Sequence, residues 1–209
     1  MLKDNAGEIV KGKKQIRDIQ GPGIDFKVVA AFERISQVIR TLSWKTGKML
    51  RLNPVQSQVL VFLLYHDKEG NNISSLAREF NISKASISDT VSSLERKQLV
   101  RKACADGDAR NINIGLTKAG QQAAAQAALY AHDLTMAINK LSPVDKQQLF
   151  SILGEVIFEL HTSGVVPVQR MCKTCKHYDS SGKTHYCRLL ERSLHADQLQ
   201  IDCADHRSK

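Results

Sequence analysis

The chain has 209 residues, 42% hydrophobic and 24% charged, enough apolar material for one ordinary domain and a small attachment without a cysteine scaffold. That composition excludes a disordered or collagen-like chain. The longest apolar run, VLVFLLY from Val59, is far shorter than the about 20 residues that span a bilayer. Thirty Lys and Arg against 21 Asp and Glu leave a net charge of +9, spread along the chain, so a polyanion is the first partner to consider. The opening MLKDNAGEIVKGKK has no signal-peptide apolar stretch, which points to a cytoplasmic protein with no membrane partner, in a compartment where thiols stay reduced.

Residues 1–24 read as a basic N-terminal arm, closed by a Gly-Pro-Gly that cannot continue a helix. From Asp25 to about Arg51, Val28, Phe32, Ile35, Ile39 and Leu42 recur at steps of three and four, the face of one long amphipathic helix. A second helix opens at Asn53 as cap, with Pro54 at the first helical position and Gln56 completing a capping box, and it ends before the turn-rich DKEGNN. A short helix over SSLAREF is expected after a Ser74 cap. Another follows over Lys84–Lys97, capped by Ser83 and stapled by Ile82 against Ile87.

In that last helix Ile87, Val91 and Leu94 form the buried face. Ala85, Ser88, Asp89, Ser92 and Arg96 lie opposite, with Ser86 and Ser93 on the flanks. Two short helices in close succession, the second presenting small hydroxyl side chains, make a helix-turn-helix. Serines can approach base edges in the about 12 Å major groove where bulky side chains cannot. The following LVRKA, the turn CADGDAR and the alternating NINIGL read as a two-stranded wing, with Arg101, Lys102 and Arg110 placed to reach phosphates or a narrow minor groove.

These stretches, and above all Asp108-x-Arg110 followed by Leu116-Thr117-x-x-Gly120, resemble the MarR family of bacterial winged-helix regulators over about residues 25–162. The resemblance implies a mainly α fold with a small β wing (α+β), a homodimer built by the first and last helices, and double-stranded DNA as partner. It implies that the helix from Lys84 enters the major groove with Lys84, Ala85, Ser86, Ser88, Asp89, Ser92 and Ser93 nearest the DNA. It also implies that Arg110 reaches the minor groove with Asp108 orienting the wing. Two positions depart from the family. Asp89 stands where a basic residue is common, and Gln98 stands where glycine usually ends the recognition helix, at a cost of about 1 kcal/mol if its φ is positive.

Beyond the wing, Thr117 caps an expected single helix over residues 118–141, and Ser142-Pro143 opens a last long helix with Asp145 in capping-box position. Leu149, Ile152, Val156 and Leu160 then form a further apolar stripe, surplus to what a small winged helix covers, as a homodimer requires. Residues 163–171 read as a linker and 172–209 as a metal-stapled module.

A unit that small folds poorly on apolar burial alone. Cys172 and Cys175 form a C-x2-C knuckle, and Cys187 and Cys203 supply two further thiolates, a closed four-sulfur set suited to structural zinc. An iron-sulfur cluster and a reversible disulfide are the alternatives, and His206 is the histidine best placed to replace a cysteine. Cys104, in the wing turn, reads as an ordinary small residue; His66, His132 and His161 read as packed or solvated.

No catalytic triad, metalloprotease or phosphate-loop pattern occurs, so an enzyme is not expected. The leading expectation is a DNA-binding regulator with a zinc module and an effector of unknown identity. The alternative is a redox-responsive iron-sulfur or thiol-disulfide protein that uses its winged helix as an interaction scaffold.

Overall fold

The computed structural model describes residues 23–66, 71–105, 108–167, 169–181 and 184–209. Most of the expected arm, the loop at 67–70 and the wing tip at 106–107 lie outside the described residues. Helix α1 spans Ile24–Met49 and α2 spans Pro54–Tyr65, where Asn53 and Gln56 close the capping box: Asn53 Oδ1 accepts from Gln56 N at 2.8 Å and Gln56 Oε1 accepts from Asn53 N at 3.2 Å. Helix α3 spans Ile73–Glu79. Its cap is Asn72 rather than the expected Ser74, because Asn72 Oδ1 accepts from Ser75 N and Ser75 Oγ accepts from Asn72 N, each at 2.9 Å. Asn72 thus closes the reciprocal box two residues earlier.

Helix α4 spans Lys84–Arg96 with Ser83 as its cap. Ile87, Val91 and Leu94 are each 0% exposed. Together with Val59, Leu60 and Leu76 they form the centre of the core, each large side chain contributing about 1.5–3 kcal/mol on burial. Strands β1 (Val100–Ala105) and β2 (Asp108–Leu116) pair antiparallel, Val100 opposite Leu116, with a register shift after Cys104. The wing is fastened to the core by Ile114, whose N–H donates to the Asn71 carbonyl at 2.7 Å. Gln98 does take positive φ, 59°. Its N–H donates to Glu95 O at 2.8 Å and its carbonyl accepts from Thr117 Oγ1 at 2.7 Å, which holds the strained residue in place.

The single helix expected over residues 118–141 is two helices, α5 (Lys118–Ala128) and α6 (Ala131–Ile138). At the break the ladder tightens to three-residue bonds, Leu129 N to Gln126 O and His132 N to Leu129 O. Helix α7 (Pro143–Thr162) ends in a Schellman turn with Gly164 at φ +72°, Val165 N donating to Leu160 O and Gly164 N to His161 O. Neither α6 nor α7 buries a single residue within one chain, and α1 buries only Gly47. Among the described residues, no helix is long and apolar enough to cross a membrane.

The C-terminal segment forms a 3-10 turn at Cys172–Thr174, a three-stranded antiparallel sheet of β3 (Tyr178–Ser181), β4 (Thr184–Cys187) and β5 (Arg192–Leu194), and a second 3-10 turn at Ala196–Gln198. It meets the helical part of the chain through three ion pairs. Arg170 Nε pairs with Glu79 Oε2 at 3.0 Å, Asp202 Oδ1 with His66 Nε2 at 2.9 Å, and Lys173 with Glu155 of α7.

Candidate nucleic-acid interface and cysteine module

The apolar stripe that seats α4 in the core dictates what its other side presents. Lys84, Ala85, Ser86, Ser88 and Asp89 are exposed, while Ser92 and Ser93 are half-buried. Ser86 is partly committed to the cap: its N–H donates to Ser83 Oγ at 3.1 Å and its hydroxyl lies 2.9 Å from the same oxygen. Ser93 turns inward, its Oγ accepting from Gln56 Nε2 at 3.0 Å. The exposed face is thus narrow, and its reach comes from Lys84, Ser88 and Asp89.

On the wing, Arg101 is exposed and stands opposite Gly115, with no cross-strand side chain to meet it. Lys102 is paired with Glu95 of α4 at 2.7 Å, a surface contact of at most about 1 kcal/mol that a phosphate can displace. Asp108 and Arg110 lie in β2, but their side chains are outside the described residues. Lys97 has a structural job that its sequence position did not reveal, with Nζ donating to Arg51 O at 2.6 Å and to Gln56 Oε1 at 3.0 Å.

A second feature escaped the sequence. A cavity of about 670 Å³ opens between α1, α2 and the end of α3, walled by Trp44, Phe62, Tyr65, Phe80 and Tyr130, with Asp202 of the C-terminal module at its edge. No one helical period marks these aromatics, because Trp44 comes from α1, Phe62 and Tyr65 from α2, and Phe80 and Tyr130 from helix ends, and they meet only in the folded chain.

The four C-terminal cysteines come together. Cys172, Cys175, Cys187 and Cys203 line one cavity of about 40 Å³, with Tyr178 and Leu194 beside them. The 3-10 turn sets the knuckle, Cys175 N donating to Cys172 O at 2.9 Å, and the pairing of Tyr178 with Cys187 brings in β4. Gln200 N donates to Cys172 Sγ at 3.2 Å, a bond that favours a thiolate. Burial pushes the Cys172 and Cys203 thiols up, and the neighbouring cysteines push them further.

All five cysteines of the chain are free. Among the described residues no three Cys, His, Asp or Glu side chains are grouped tightly enough, as they stand, to hold a metal ion. The thiols share a cavity without closing on one point. His206 does not join them: its Nε2 lies 3.0 Å from Thr174 Oγ1. His185 is also engaged elsewhere, Nδ1 lying 2.6 Å from the Tyr178 hydroxyl. Cys104 is exposed on β1, opposite Ile112.

Residues 52–111 match the model of the MarR family. Among solved structures, the MepR–DNA complex of Staphylococcus aureus superposes with a TM-score of 0.55 at 22% identity, covering 63% of this chain and 97% of that one. MepR in its DNA-binding conformation gives 0.56 at 22% identity, with 64% and 98% covered. At that identity the likeness shows the fold, a MarR-type winged helix. No curated protein matches the chain. The family match ends at residue 111, well before the cysteine module.

Proposed function

We propose that this chain, whose residues 52–111 form a MarR-family winged helix, is a sequence-specific DNA-binding transcriptional regulator that works as a homodimer and carries a zinc-binding C-terminal module. The observation that carries the DNA reading is the division of α4. Three side chains at 0% exposure anchor it, and a small polar face led by Lys84, Ser88 and Asp89 is left for the major groove. Arg101, Lys102 and Arg110 on the wing then meet phosphates or the minor groove. Asp89 is suited to accept from cytosine N4, which gives this protein a base preference of its own.

Dimerisation is supported by the apolar side chains that one chain leaves in water, including Ile35 at 51% exposure on α1 and Ile152 at 60% on α7. A two-fold dimer reads a pseudo-palindromic site, with half-sites near one helical turn apart, and acts by occlusion or recruitment. The aromatic cavity, about 670 Å³, is of a size to take a small-molecule effector. In the module, four thiols suit zinc better than any harder ion, with an iron-sulfur cluster as the competing occupant.

The test is the salt dependence of binding. Arg110→Ala and Arg101→Ala should each weaken binding to all duplexes and lower the slope of log K against log salt by about one. Ser88→Ala or Asp89→Ala should instead change which duplexes are preferred. Unchanged affinity in both arginine variants, with intact circular dichroism, would refute the winged-helix role.

A further inference from the structure

The C-terminal module has little core of its own. Among the described residues from Arg170 onward, only Met171, Cys175 and Leu194 are buried apolar side chains, at 3%, 8% and 9% exposure. A unit of this size cannot hold its shape on that area, so its order must come from a cross-link or from whatever it leans on. It leans on two separate parts of the chain. Lys173 meets Glu155 and stands 5.2 Å from the Phe158 ring on α7. Arg170 and Asp202 meet the ends of α3 and α2.

Those two residues are placed by the cysteines. Arg170 lies two positions before Cys172 and Asp202 is next to Cys203. Their segments are joined by Cys203 N donating to Arg170 O at 2.8 Å and by Cys172 N donating to Gln200 O at 3.0 Å. Whatever fixes the sulfurs of Cys172 and Cys203 therefore fixes the spacing of the Arg170 and Asp202 side chains. On the receiving side, His66 caps α2 and Glu79 is the last residue of α3. Phe62 lies beneath the Arg170 guanidinium at 4.9 Å, stacks on His66 at 4.1 Å and meets Phe80 edge-on at 5.6 Å. The grip falls on the lead into the helix-turn-helix and on its turn.

Resting on the reading of the four cysteines as a metal site, we infer that occupancy of that site latches the module onto the helix-turn-helix through Asp202–His66 and Arg170–Glu79. Binding of one zinc ion by four thiols releases four protons and draws the sulfurs onto a common centre. That closure holds Arg170 and Asp202 in register for their partners. Because Lys173 ties the same module to α7, the latched state fixes the recognition helix relative to a helix of the dimer surface, which is the distance that sets half-site spacing. Loss of the ion removes that cross-link and loosens both grips. Coupling of this kind is reciprocal, so the latch must tighten zinc binding by the factor by which zinc favours the latch.

The full-length chain supplies its own reporter, since Trp44 is its one tryptophan and lines the same cavity as His66 and Asp202. Zinc is titrated into thiol-reduced apoprotein against a chromophoric chelator while Trp44 emission is followed, in the wild type, in an Arg170→Gln, Asp202→Asn double variant, and in Glu79→Gln on the opposite side of the latch. The inference expects about one zinc per chain in all three, an emission change on binding in the wild type alone, and zinc affinity at least about five-fold weaker in the variants. Stoichiometric zinc with equal affinity in all three and a silent Trp44 would overturn the latch while leaving the metal site standing. A colourless wild type that takes up no stoichiometric metal would overturn the metal reading and the latch with it. A brown protein with iron and sulfide would replace zinc by a cluster and overturn the inference as stated.

Discussion

A Cβ built on Gly120 would sit 1.8 Å from the carbonyl oxygen of Leu99 and 3.3 Å from Leu116 Cδ2. An ordinary contact between such atoms needs about 3.4 Å or more, so Gly120→Ala must push α5 and Leu99, the residue before β1, apart by well over an ångström. Leu99 O is the acceptor for Thr117 N at 3.1 Å, and Thr117 Oγ1 caps α5 by accepting from Gly120 N at 2.9 Å. Separation therefore weakens a backbone hydrogen bond of about 1 kcal/mol in addition to overpacking of about 1–3 kcal/mol, for a total of about 2–4 kcal/mol. Urea unfolding followed by circular dichroism at fixed protomer concentration should show that loss, with a melting temperature lower by about 4–15 °C. Leu99 leads directly into β1, so DNA affinity should fall as well, through a displaced wing. A Gly120→Ala protein with the wild-type urea midpoint would mean that α5 does not approach the wing root this closely, and the packing described for that corner would be wrong.

Ile35→Glu on α1 should leave the circular dichroism of each chain intact while dissociating the dimer in sedimentation. Both copies lose about 1.5–3 kcal/mol of burial, which raises the dissociation constant by about two orders of magnitude or more; an unshifted dimer would place the interface elsewhere. His66 gives a pH signature. Burial opposes its charged form and Arg170 repels it, but the hydrogen bonds to Asp202 and the Phe62 carbonyl and the Asp202 charge outweigh both, so its pKa stands above the ordinary 6.5. Docking of the module through His66 should therefore be at full strength below about pH 6.5 and decline as pH rises through the raised value. Hydrogen exchange around Asp202 should follow that decline in the wild type and not in His66→Gln, and a wild-type profile flat across neutral pH would contradict it.

The parts of this fold that were legible in the sequence are those written in local chemistry. Asn53, Pro54 and Gln56 announce a helix start within four residues, Ser83 and Thr117 do the same, and Ile87, Val91 and Leu94 give the buried face of α4 by spacing alone. Ser74 was the wrong cap because Asn72 and Ser75 satisfy each other, a reciprocity that a single-position preference cannot weigh. The break between α5 and α6 carries no Gly or Pro, since a tightening of the ladder in an alanine-rich stretch leaves no mark in residue type. Ser93 sat on the flank by position, and Gln56, 37 residues away in the chain, turns it in. The docking of the module was illegible for the same reason: its two grips join residues 91 and 136 positions apart.

Three kinds of stability are built into one chain, and they fail under different conditions. The helix-turn-helix and wing root hold by their own core, with Leu60, Leu76, Ile87, Leu94 and Ile114 at or near 0% exposure, so this part stands without help. No residue of α6 or α7 is buried within the chain, and in the proposed homodimer their order would depend on protomer concentration. The cysteine module has little core of its own, and under the metal reading its order depends on free ion. The module touches both α7 and the helix-turn-helix, so in the proposed homodimer its state would bear on the separation of the two recognition helices. A change of a few ångströms there misplaces one helix against its half-site, where each mismatched contact costs about 1–3 kcal/mol. Under the proposed latch, a modest grip at the turn of the helix-turn-helix would therefore change operator affinity by about an order of magnitude without touching DNA.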